Sequence, residues 1–102
     1  MLKVNMEFRK GILFIRLKGD LNKNTVKGVI EDDFKYIVLN IDNMYSIDSY
    51  SIKYLNKLHK SVEDSEGKMI ICDKFNISRK LLKDIPKINN EYDAFDLFER
   101  MI

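Results

Sequence analysis

The run Met44-Tyr45-Ser46-Ile47-Asp48-Ser49-Tyr50-Ser51-Ile52 sets hydroxyls beside one carboxylate, where a short apolar segment gives way to a helical pattern. In an open α/β sheet, sites gather at such strand-to-helix junctions, outside the carboxyl ends of the strands. A hydroxyl at a helix N-terminus faces unpaired backbone N–H groups and the positive end of the helix dipole. A phosphate added there is tolerated locally and brings about two negative charges. Serine is also a favoured N-cap. From spacing alone, Ser49 or Ser51 is either a cap for the helix or the acceptor of a phosphoryl switch.

The other reactive residue types are sparse. His59 is the single histidine and Cys72 the single cysteine, which removes multi-histidine zinc sites, cysteine-rich metal sites and any internal disulfide. His59 follows Leu58 on a helical pattern with no nucleophile at matching spacing, and reads as a surface or boundary residue. Cys72 ends an apolar run and reads as a small core residue. The acidic clusters Glu31-Asp32-Asp33 and Glu63-Asp64-Glu66 lack the alternating ligand spacing of a calcium loop and read as solvated faces. Tyr92, Phe95 and Phe98 form an aromatic stripe expected in the core, with part of it available for dimerisation or a partner.

The chain has 102 residues, 45% of them hydrophobic, so one domain spanning 1–102 with one modest core is expected. Lys and Arg number 18 against 16 Asp and Glu, interspersed along the chain, which argues against a nucleic-acid binder driven by phosphate contacts. No apolar run is long enough for a membrane span, and charge inside the opening MLKVNMEFRKG argues against a secretory leader. A reducing, cytoplasmic compartment is expected.

The elements that position the junction follow from periodicity. Val4, Met6 and Phe8 alternate with polar residues, Lys10-Gly11 is a turn, and 12–17 is a second strand ended by Gly19, which together predict a hairpin. Thr25 is placed to cap a short helix to about Glu31. The run 36–41 is short, β-branched and apolar, the pattern of a buried central strand. The stretch 42–50 reads as polar and turn-rich. Ile52, Leu55, Leu58 and Val62 recur at helical spacing, with Lys53, Asn56, Lys57 and Lys60 on the other side, and Gly67 ends the helix. Met69 to Cys72 is a further buried strand, Ser78 caps a helix through Ile85 stopped by Pro86, 87–90 is one more short strand, and a last helix carries the aromatic stripe. The expected object is an α/β fold: a mixed, mostly parallel β-sheet with an antiparallel N-terminal hairpin and about four helices packed mainly on one face.

Three segments in this order, Gly19-Asp20-Leu21-Asn22, Ile37-Val38-Leu39-Asn40-Ile41 and Ile47-Asp48-Ser49, followed by Gly67 to Cys72 and Leu81-Leu82, resemble the STAS domain of the anti-sigma factor antagonist family. The resemblance covers nearly the whole chain. It departs from the family pattern where Tyr50 and Ser51 replace Ser-Gly and Asn22 replaces a carboxylate. The resemblance implies a small non-catalytic bacterial protein without cofactor, acting in partner switching. Its partner would be an anti-sigma factor that is also a serine kinase carrying ATP, with a phosphatase resetting the cycle. On this mapping Ser49 is the phosphoacceptor, and the partner surface comprises Asp20, Asn22, Thr25, Ser46, Asp48, Ser49, Tyr50 and Ser51. A weak homodimer is a further expectation. The alternatives are a STAS scaffold or transport-system subunit that binds without phosphorylation, and a small enzyme or ligand binder using the same strand ends.

Overall fold

Lys10 and Gly11 both take positive φ, 52° and 83°, the backbone of a two-residue hairpin turn. It folds β1 (Leu2–Arg9) back onto β2 (Ile12–Leu21). In the computed structural model, which describes residues 1–29, 34–78 and 80–100, three further strands follow: β3 (Tyr36–Ile47), β4 (Lys68–Cys72) and β5 (Lys87–Ile88). They form one sheet in the order β1-β2-β3-β4-β5. The β1–β2 pair is antiparallel and the other three pairs are parallel. Helix α1 (Ser49–Asp64) joins β3 to β4, and α2 (Tyr92–Glu99) follows β5.

β2 and β3 are apolar on both faces, and that dictates where the helices go. Leu13, Ile15 and Leu17 point to one face with Ile37, Leu39 and Ile41, and there Leu55, Leu58 and Val62 of α1 pack on them. Ile12, Phe14 and Val38 point to the other face and meet Ala94 and Phe98 of α2. The two helices therefore lie on opposite faces; packing mainly on one face would leave Ile12, Phe14 and Ile70 in water. Phe98 belongs to this second core, Phe95 packs against it, and Tyr92 is exposed. Cys72 is buried in it, and burial with the nearby Asp42 charge pushes its thiol up to about 12.

Of the four expected helices, two are α-helices among the described residues. After Thr25 the chain makes only a 3-10 turn over Val26–Gly28, with Val26 and Val29 buried. Residues 30–33, including the Glu31-Asp32-Asp33 cluster, lie outside the described residues. Residue 79 lies outside the described residues, and on either side of it residues 77–78 and 80–85 make turns and bends where a helix was expected. The buried Asp73 carboxylate accepts from the Ile77 and Ser78 amides and the Ser78 hydroxyl, while Lys87 Nζ donates to the carbonyls of Leu82 and Ile85. These contacts pin the two ends of the segment, and between them the Leu82 amide donates to the Ser78 carbonyl and the Ile85 amide to the Leu82 carbonyl. At the end of α1, the left-handed residue is Glu66 (φ 64°), not Gly67. Gly67 serves closeness: a Cβ there would collide with the Lys35 carbonyl, to which the Lys68 amide donates at 2.8 Å.

One charged cluster fastens α2 to the sheet. Arg16 points to the α2 face and donates to Glu91, just before α2, at 2.8–3.2 Å, and to Glu7 and Asn5 of β1 at 2.9 Å. Asn40 donates to the same Glu91 carboxylate at 2.7 Å. Hydrogen bonding from Arg16 holds Glu91 below its ordinary value. A carboxylate depressed in the folded state contributes stability that is complete above its unfolded pKa and is lost as pH falls through the folded one. The Tm of Glu91→Gln should therefore lie below that of wild type at neutral pH, and the gap should close on acidification, read by circular dichroism melts across pH.

Candidate functional site

β2 and β3 outrun the rest of the sheet. β3 leaves β4 at Asn40 but stays paired with β2 through Leu21↔Ile47. Register shifts after Arg16 and after Gly19 interrupt this pairing, and Gly19 sits at φ 120°. A Cβ at Gly19 would run into the Met1 carbonyl, so only glycine allows β1 to begin so close to this bulge. The bulged extension carries Asp20 and Ser46 to one end of the sheet. There Ser46 Oγ donates to Asp20 Oδ1 at 2.7 Å.

Beyond the strands, two crossover loops are joined by one carboxylate. Asp48 takes the N-cap position of α1, with Oδ1 accepting from the Ser51 amide at 2.8 Å. Its Oδ2 accepts from the Lys23 amide at 3.1 Å, and its own amide donates to the Leu21 carbonyl at 3.1 Å. The Ser51 side chain, with the Ser51 and Lys23 amides, holds this carboxylate below its ordinary value; the Ser51 hydroxyl stands near it without full hydrogen-bond geometry. The cap is thus Asp48, not Ser49 or Ser51, because the shorter hydroxyl side chains begin inside the helix.

The first loop is shaped by its own side chains. Thr25 Oγ1 accepts from the Asn22 amide at 3.0 Å and donates to the Asp20 carbonyl at 3.1 Å, while Asn22 Oδ1 accepts from the Asn24 amide at 2.9 Å. Thr25 closes this loop and makes no side-chain cap on the 3-10 turn. Asp20, Asn22, Thr25, Ser46, Asp48, Ser49 and Tyr50 accordingly gather at one end of the sheet. Ser49 is exposed in the first turn of α1, and Tyr50 lies 41% exposed beside it. Ser51 differs: it is wholly buried, so its side chain supports the surface from beneath.

Periodicity alone did not reveal two contributors. Lys27 places its ammonium 5.8 Å above the Tyr50 ring, a contact between loops that no local pattern announces. Tyr50, Lys53, Tyr54, Lys57 and Lys60 run down one side of α1 and, with Asn56, line a shallow groove of about 540 Å³; periodicity placed the lysines opposite the apolar stripe without showing that two tyrosines join them. His59 is half-buried and stands 3.5 Å from Glu63, whose other oxygen pairs with Lys68 at 2.9 Å. Glu63 is thereby committed within the fold. Among the described residues, no three potential ligands converge on a metal position, and no helix is long and apolar enough to cross a membrane.

The fold and this end of the sheet define a class: a mixed-sheet module whose surface is a helix N-terminus framed by two crossover loops. The chain belongs to the STAS domain family, whose model matches residues 3–85. It is 26% identical over 112 residues to the anti-sigma F factor antagonist of Paenibacillus polymyxa, covering 96% of each chain. The structure resembles the anti-sigma factor antagonist SpoIIAA in its unphosphorylated form (TM-score 0.72, 18% identity, 98% of this chain and 100% of that one). It also resembles the Bacillus cell fate determinant SpoIIAA in its phosphorylated form (TM-score 0.63, 17% identity, 94% and 99%).

The contrast between the two serines gives a test. An aspartate at exposed Ser49 adds a charge in water at the favourable end of a helix, whereas one at buried Ser51 must be desolvated beside Asp48, which costs several kcal/mol. Ser49→Asp should keep the wild-type Tm within a degree or so, and Ser51→Asp should lower it by roughly ten degrees or more, read by thermal circular dichroism.

Proposed function

We propose that this chain is an anti-sigma factor antagonist of a bacterial partner-switching system, a non-catalytic cytoplasmic binding module acting as one domain over 1–102. Its partner is an anti-sigma factor that is also a serine kinase with bound ATP, and a phosphatase resets the switch. The docking surface is formed by Asp20, Asn22, Thr25, Ser46, Asp48, Ser49 and Tyr50, supported from below by Ser51.

The observation that carries this reading is the freedom of Ser49. Because Asp48 caps α1, the Ser49 hydroxyl is not needed at the helix end and stands exposed in the first turn. The likeness to an anti-sigma F factor antagonist supports the partner class. The likeness to SpoIIAA in phosphorylated and unphosphorylated forms supports one fold in both states of the switch.

The mechanism is electrostatic. In the free protein a phosphate on Ser49 remains solvated and faces the N–H groups of the first turn of α1. In the complex the same dianion must lose water beside the Asp48 carboxylate, so the added charge weakens binding far more than it perturbs the fold. Tyr50, held under Lys27, presents an aromatic ring where other members of the family carry serine. A tyrosine there suits an interface anchor.

The test pairs the protein with its cognate anti-sigma kinase in isothermal titration calorimetry. Ser49→Ala should bind like wild type and take no phosphate. Ser49→Asp should bind at least about a hundredfold more weakly, equivalent to about 2.7 kcal/mol. If both variants bind like wild type and the kinase leaves Ser49 unmodified, the phosphorylation switch is wrong and the chain is a STAS scaffold.

A further inference from the structure

Among the described residues, no helix covers one apolar row on the α1 face of the sheet. Residues directly opposite across β1 and β2 share a face, so Val4, Met6 and Phe8, paired with Leu17, Ile15 and Leu13, lie on the α1 side. Their partners are buried at 5% exposure or less, yet Val4 is 41%, Met6 48% and Phe8 60% exposed. Leu2, at the head of the row, packs against the core, and Phe8 touches Phe34 with ring centroids 5.6 Å apart. β1 is also the edge of the sheet, with eight residues, and among the described residues no strand pairs with its outer side. An edge this long and apolar is a template for another strand, and natural edges of this kind are blunted or paired.

We propose that β1 is a self-association edge: two copies pair antiparallel through β1 about a two-fold axis at Asn5, joining their five-stranded sheets into one continuous sheet. The sequence of the strand selects both the occupant and the register. With Asn5 opposite its own copy, Val4 faces Met6 and Leu2 faces Phe8 on the α1 side. On the α2 side Lys3 faces Glu7, and the symmetry makes this opposite-charge pair twice. Moving the axis to Met6 sets Lys3 opposite Arg9, and moving it to Val4 sets Lys3 opposite Asn5. A half-step places Lys3 opposite Phe8 and mixes the faces, which a flat continuation of the sheet does not allow. Opposite-charge and apolar cross-strand pairs stabilise, and like charges directly opposite destabilise. Glu7 already accepts from Arg16 at 2.9 Å, but a carboxylate has about four acceptor sites, and the side chain is 40% exposed. The axis also sends the two ends that carry Asp48 and Ser49 in opposite directions, so the pairing is independent of the docking surface.

Sedimentation velocity of the full chain over a concentration series, combined with cysteine cross-linking, tests this. Wild type should show a monomer–dimer equilibrium. Lys3→Glu, an exposed change that should leave the melt unaltered, should raise the dimer dissociation constant by about tenfold or more. Under mild oxidation Asn5→Cys should form a covalent dimer, since opposite Cβ atoms stand about 4.5–5.5 Å apart. Val4→Cys and Met6→Cys should cross-link far more slowly, and the buried Cys72 should contribute none. A wild type that stays monomeric throughout, a Lys3→Glu variant that dimerises as wild type does, or faster cross-linking at 4 or 6 than at 5 would overturn the proposal.

Discussion

The two hydrogen bonds accepted by the Asp48 carboxylate, from the Ser51 amide and from the Lys23 amide, are the interaction on which the end of the molecule that carries Ser49 depends. The first starts α1 by satisfying an orphan N–H of its opening turn. The second holds the loop that follows β2 against the same helix end. One ionised group therefore fixes the direction of α1, the position of the Asn22–Thr25 loop and the exposure of Ser49. With Asp48 in the capping role, the Ser49 hydroxyl is left free for the proposed switch.

That arrangement rests on a sheet that is apolar on both sides. α1 covers one face through Leu55, Leu58 and Val62, and α2 covers the other through Ala94 and Phe98. Polar contacts decide how the covers are seated. Arg16 and Asn40 converge on Glu91 and seat α2, and Gly67 lets the chain after α1 pass close to Lys35 before β4. The parallel pairing of β2 with β3 then runs past the edge of β4 and delivers Asp20 and Ser46 to the site.

Much of this was legible in the sequence. The hairpin, the buried strand from Tyr36, the amphipathic helix through Leu55 and the position of the strand-to-helix junction at Asp48-Ser49 follow from local periods and turn chemistry. The continuation of β3 to Ile47 did not show, because the β2–β3 register shifts space its inward residues Ile41, Met44 and Ile47 by three rather than two. In place of the helix expected from Ser78, the segment is pinned at its two ends by Asp73 and Lys87, contacts that no local period announces. Placing α2 on the far face required knowing that Ile12 and Phe14 point away from Leu13 and Ile15, which a continuous apolar run conceals. Thr25 and Ser51 were recognisable as polar residues near the site. Their inward roles depend on contacts with Asp20 and Asp48 that only the folded chain creates.

The claim that Asp48 organises both loops is open to a direct measurement, amide hydrogen exchange by nuclear magnetic resonance on wild type and Asp48→Ala. The Ser51 and Lys23 amides should be protected in wild type and should lose protection together in the variant, while the amides of β4 keep theirs. A Lys23 amide that exchanges freely in wild type, or keeps its protection in Asp48→Ala, would contradict that claim.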